Sequence, residues 1–106
     1  MEINLDNVVV THNEQAQRFE AKVEGMRALI TYHRFPGSIV FPHTEVPAPL
    51  EGQGLAAKLT RTALDFARAH HLRVVALCPY VVNFLQKHSE YLDLLSEEDR
   101  RKISSS

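Results

Sequence analysis

The chain has a single cysteine, Cys78, in 106 residues, so an intramolecular disulfide framework is excluded. That usage fits a reducing compartment, by default the cytoplasm. Nor is there an excess of charge of one sign: twelve Lys and Arg stand against thirteen Asp and Glu, a formal net charge of −1. Composition therefore implies no general attraction to nucleic acid or to an anionic membrane surface. No apolar run approaches the ~18–20 residues of a membrane-crossing helix. The opening MEINLDNVVVTHNEQ lacks the basic and then apolar stretches of a secretory signal. What remains is an ordinary globular composition, 44% hydrophobic and 24% charged, at a length that suits one domain, residues 1–106, with no room for a second core.

Hydrophobic periodicity orders the chain. Val8 to Thr11 is β-branched throughout and reads as a first strand, followed by a polar turn. Phe19, Ala21 and Val23 alternate with charged residues, as do Ala28, Ile30 and Tyr32 beyond Gly25, at the period of two that marks half-buried strands. Pro36–Gly37 turns the chain into a fourth run through Ile39, Phe41 and Thr44 to Val46, in which Pro42 implies a bulge or an edge. After Pro49 the period changes. Leu55, Leu59, Ala63, Phe66 and Ala67 share one face of a helix expected from Gly54 to His70. Leu72 to Leu77 reads as a buried strand, Pro79 as the first residue of a second helix, and Ser96 as the cap of a third. The closing serines are expected to fray. The fold class is thus α+β (α/β): antiparallel N-terminal strands, then β-α-β-α.

The most informative segment is the crossover Pro49-Leu50-Glu51-Gly52-Gln53-Gly54-Leu55-Ala56, where an extended chain enters a helix through two glycines. Glycine lets backbone approach a ligand, and the first helical turn presents unpaired N–H groups that suit a phosphate. The same spacing also serves a tight loop needing only positive φ. Neither the dinucleotide pattern G-x-G-x-x-G nor the P-loop pattern is present. Lys58 is close enough to this turn to meet a phosphate.

Two side chains carry candidate chemistry. Cys78 falls at the end of the central strand and at the start of a helix, where free amides favour a thiolate; a packed, inert thiol is the alternative. An imidazole suits the deprotonation of an ammonium acceptor, which makes His43 a candidate base, or else it is an exposed strand histidine. Glu45, two residues on, is a weaker base candidate. His70 and His71 suit a helix C-terminus rather than a metal. With one Cys, and with His12 and His33 lacking partners at ligand spacing, no structural metal site is expected.

Gly52 to Ala56, GQGLA, resembles motif A of the GCN5-related N-acetyltransferases, Gln/Arg-x-x-Gly-x-Gly/Ala. Gly54 and Ala56 match its last two fixed positions, and Glu51 stands where Arg or Gln is usual. The flanks His43-Thr44-Glu45-Val46-Pro47, Leu77-Cys78-Pro79-Tyr80-Val81 and His88-Ser89-Glu90-Tyr91 resemble the small single-domain branch of that superfamily, with Ser89 where many relatives have Pro. The resemblance covers about residues 35–95. It implies an acetyltransferase-like fold in which acetyl-CoA, as cosubstrate, enters a gap between the splayed strands ending near Val46 and Leu77. Val46 would pair with pantetheine. The amides of Glu51, Gly52, Gln53, Gly54, Leu55, Ala56, Ala57 and Lys58 would take the pyrophosphate, and Asn83 and Lys87 would face the gap. Cys78 would be nucleophile or proton donor to the departing thiolate, and His43 the base. The implied activity is acetyl transfer to a primary amine, with a macromolecular acceptor suited by a pattern that lacks the helix usually found after the first strand. A CoA-binding module without catalysis and a small protein-interaction domain are the alternatives.

Overall fold

In a computed structural model, which describes residues 2–104, strands β1 (Thr11–Asn13), β2 (Arg18–Val23), β3 (Met26–Phe35) and β4 (Ser38–Glu45) lead to helix α1 (Leu55–Ala69). Strand β5 (Arg73–Ala76) and helices α2 (Pro79–Lys87) and α3 (Glu97–Ser104) follow. Three short 3-10 turns punctuate the order, at Leu5–Asn7, Ala48–Leu50 and Ser89–Leu94. The five strands lie in sequence order, β1 to β4 antiparallel and β5 parallel to β4, as the α1 crossover requires.

Alternation in β2 and β3 sorts residues onto two faces. Phe19, Ala21, Ala28, Ile30 and Tyr32 are buried, while Lys22, Arg27 and His33 are exposed. On β4 and β5, Ile39, Phe41 and Val74 complete the inner face with no exposed surface. Leu55, Leu59, Ala63, Leu64 and Ala67 of α1 close over it. Each large side chain so buried contributes about 1.5–3 kcal/mol relative to exposure. The other sheet face presents Arg27, His33, His43, Glu45 and Arg73 outward.

The first strand departs from expectation. Residues 8–10 are not paired in the sheet, which starts at Thr11 opposite Glu20. The Val8 carbonyl turns instead to the Lys58 ammonium on α1, accepting at 2.7 Å. β-Branched residues specify extended chain, not its partner. The other elements fall close to expectation, with β3 running on three residues past Tyr32 to Phe35. Gly54 is the residue preceding α1, Pro79 opens α2, and Ser96 Oγ accepts the Asp99 N–H at 3.1 Å ahead of α3. Ser105 and Ser106, expected to fray, lie outside the described residues.

Candidate functional site

The site begins where two strands part. Pairing of β4 with β5 runs from Ser38↔Arg73 to Phe41↔Ala76 and stops. Next on β4 is Pro42, which has no N–H to donate. The amides of Leu77 and Cys78 both converge on the Phe41 carbonyl, at 3.2 and 3.0 Å, as the chain swings into α2. β4 continues to Glu45 beside β3 alone. A V-shaped gap follows, as the family resemblance implies.

A bulge sets which β4 side chains face the gap. Thr31 pairs with His43 but His33 pairs with Val40, so β4 carries one extra residue opposite Tyr32, at Phe41–Pro42. The phase of alternation changes there. Without the bulge His43 would share the inner face with Ile39 and Phe41; with it, Thr44, paired with Ile30, takes that face and His43 turns outward.

A cleft of about 350 Å³ occupies the gap. Thr44, Val46 and Leu50 form one wall and Tyr80 of α2 another. Its floor is the glycine turn and first helical residues: Glu51, Gly52, Gly54, Leu55, Ala56 and Ala57. Gly52 and Gly54 have φ of +77° and +86°, left-handed values that L residues avoid. No side chain caps α1, so the amides of Leu55, Ala56 and Ala57 have no intrahelical acceptor. The Lys58 amide is the first that does, donating to the Gly54 carbonyl at 3.0 Å, and the Glu51 amide donates to Ala48 at 3.2 Å. The free donors therefore belong to the span between them, and Glu51 offers the cleft an exposed side chain rather than an amide.

Cys78 is the residue preceding α2 and is 6% exposed. Its thiol donates to Thr44 Oγ1 at 3.5 Å, which places it just behind the cleft wall. The Tyr80 hydroxyl is pushed above its ordinary pKa, first by burial and then by its proximity to Cys78. His43 does not join them. It lies exposed on the opposite face of β4, its Nε2 3.4 Å from Glu45 Oε2.

Four further candidates sit outside the cleft. Asn83 and Lys87 are exposed on α2, on the helical ridge that continues from Tyr80. The Lys58 ammonium is half-buried against the carbonyls of Leu5 and Val8, so the structure does not aim it at the cleft, and the Gln53 side chain accepts the Ile3 N–H at 2.8 Å. Sequence reasoning missed Thr44, Leu50 and Tyr80. Thr44 was findable by its two-residue spacing from Val46, and Tyr80 by its place in the first turn after Pro79; nothing local marked Leu50. Among the described residues no group of three His, Cys, Asp or Glu is placed to hold a metal, and no helix is long and apolar enough to cross a membrane.

Comparison with known proteins agrees with this geometry. The profile of the GCN5-related N-acetyl-transferase family matches residues 18–94. Protein NATD1 of Bos taurus is 33% identical over 91 residues, 81% of this chain and 80% of that protein. The Homo sapiens protein of the same name is 31% identical over 91 residues, again 81% of this chain and 80% of its own. The solution structure of a GCN5-like protein from Staphylococcus aureus superposes with a TM-score of 0.67 at 31% identity, covering 85% of this chain and 89% of that one.

Proposed function

The chain belongs to the GCN5-related N-acetyltransferase family, and from that premise we propose that it moves an acetyl group from acetyl-CoA to a primary amine of a polypeptide. The observation that carries the reading is the row of uncapped amides at Leu55, Ala56 and Ala57, set on the floor of a cleft whose inner end reaches the thiol of Cys78 through Thr44. Those amides, with Gly52 and Gly54, would take the pyrophosphate. The backbone of Thr44 and Val46, freed from β5 by the splay, would pair with pantetheine.

Transfer forms a carbon–nitrogen bond and breaks the thioester carbon–sulfur bond. The departing thiolate needs a proton, for which Cys78 and Tyr80 are the two donors at hand. In a covalent path Cys78 instead attacks as thiolate and carries the acetyl group before the amine takes it. The incoming ammonium must first lose a proton. His43, on the exposed face, would receive it if the acceptor approaches from the side opposite α1.

That side supports the choice of acceptor. β1 and β2 are joined by the short turn Glu14–Gln17, where the superfamily commonly places a helical segment that walls the acceptor site. At the gap the open face shows His43, Glu45 and the 65% exposed Leu77. A lysine or N-terminal amine on a chain can reach such a face; a small molecule finds little to enclose it. The single free thiol fits the cytoplasm as the compartment we assign.

The test is mass spectrometry after incubation with acetyl-CoA and a panel of peptides, free amino acids and polyamines. Acetylated peptides with little acetylation of small amines support the reading, and turnover of small amines alone refutes the acceptor. An adduct of one acetyl group on the protein, absent in Cys78→Ala, identifies the covalent path; full turnover by that variant makes Cys78 auxiliary. Binding without turnover on any acceptor leaves a CoA-binding module.

A further inference from the structure

We propose that the segment Ile3–Val8 is a working part of the cofactor turn, and that Gln53 and Lys58 are positioning residues that fasten it there, neither side chain holding a phosphate. The proposal rests on the acetyl-CoA reading of the cleft and goes beyond it.

The contacts bracket the turn. Gln53 Nε2 donates to the Pro49 carbonyl at 3.3 Å while its Oε1 accepts the Ile3 N–H at 2.8 Å, so one side chain joins the entry of the turn to the segment. Leu5 packs against Gly54 so closely that a Cβ at that glycine would stand 2.9 Å from Leu5 Cδ1. After the turn, the Lys58 ammonium donates to the carbonyls of Leu5 and Val8. Lys58 lines an adjoining groove with Leu5, Asp6 and Arg61, which shares Gly54 and Ala57 with the cleft, whereas Lys58 itself does not line the cleft.

A lysine beside an anion site is usually read as a ligand of the anion. Here two of its three donors are spent on carbonyls some fifty residues away in sequence, in a half-buried position. The turn needs this support. Gly52 and Gly54 have the widest backbone freedom of any residue type, and α1 has neither a capping side chain nor an acidic residue in its first turn to order it. Amides that must converge on one ligand bind it better when already converged, because less conformational entropy remains to be lost. By thermodynamic reciprocity, a ligand on the turn must then steady the segment as well.

The test compares the wild-type chain with Lys58→Met, Gln53→Ala and Lys58→Arg, using amide hydrogen exchange and calorimetric titration with acetyl-CoA at low and high salt. Both Lys58→Met and Gln53→Ala should speed exchange, in the free protein, at the two bonded amides that flank the turn, those of residues 51 and 58, and weaken acetyl-CoA about five- to tenfold, with Lys58→Arg recovering most of the loss. The salt dependence of affinity should not change in Lys58→Met, since no phosphate contact is removed. Acetyl-CoA should slow exchange of the Ile3 amide in the wild type. A shallower salt dependence in Lys58→Met makes Lys58 a phosphate ligand and overturns the proposal, as does unchanged exchange at residues 51 and 58 in both weakening variants. If Lys58→Met does not fold, Gln53→Ala carries the same expectations without disturbing a half-buried charge. A wild-type chain that fails to bind millimolar acetyl-CoA overturns the cofactor reading itself and this role with it, whereas wild-type binding with unaltered variants overturns the positioning role alone.

Discussion

Replacing Gly54 with alanine tests the geometry of the turn through two separable costs. At φ of +86° an L residue is held in the left-handed region, which costs about 1–2 kcal/mol. Its new Cβ would also lie 2.9 Å from Leu5 Cδ1, so the Leu5 side chain must leave its position, a further cost of about 0.5–1.5 kcal/mol. Gly52→Ala is the internal control. Gly52 has φ of +77° but nothing within 4 Å of its would-be Cβ, so it bears the first cost without the second. Both variants also gain roughly 0.4–1 kcal/mol from a stiffer unfolded chain. The difference between them cancels that gain and isolates the Leu5 contact at about 1 kcal/mol. In urea, with a slope of about 2 kcal/mol per molar, Gly54→Ala should therefore unfold about 0.5 M below Gly52→Ala. In a Leu5→Ala background the two midpoints should draw together. Equal midpoints in the wild-type background, or a gap that survives Leu5→Ala, would refute the packing of Leu5 on the turn.

Other consequences can be measured independently of any activity. Burial holds the His12 imidazole below its ordinary 6.5, the opposing pull of Glu14 notwithstanding, with Arg34 and His70 acting in the same direction as burial. The unfolded chain then takes up the proton first, so folding stability should fall as pH drops below about 6.5 toward the native value. His12→Gln should flatten the dependence of the urea midpoint between pH 7 and 5; an unchanged slope would count against it. Ser96→Ala removes the acceptor of the Asp99 N–H and should cost about 1 kcal/mol, seen as faster exchange at Asp99. No change at that amide would show the cap to be idle.

Much of the architecture is legible in the sequence because it rests on local periodicity. Phe19, Ala21 and Val23, then Ala28, Ile30 and Tyr32, announce their strands, and Leu55 to Ala67 announce the helix that covers them. The glycine turn is legible for a related reason, since two glycines at a strand-to-helix passage have few uses. What the sequence hides is long-range or depends on a change of phase. The Lys58 contact to Leu5 and Val8 joins segments about fifty residues apart, and nothing local in VVVT says that the Val8 carbonyl turns to a helix rather than to a strand. The facing of Thr44 and His43 is decided by one bulge residue. Pro42 signals a bulge or an edge, but not which of them, nor that His43 turns outward. Tyr80 enters the cleft only because the helix that Pro79 begins is folded back beside α1, where Arg61 lies 5.4 Å from the Phe84 ring.

The central claim is that the uncapped amides of the turn receive the pyrophosphate of acetyl-CoA. Titration of the nitrogen-labelled protein with acetyl-CoA, followed by amide chemical shifts, tests it most directly. The largest shifts should fall on Gly52, Gly54 and Leu55 to Ala57, with a second group at Thr44 and Val46. No shift at millimolar ligand, or shifts confined to residues away from the cleft, would contradict the account.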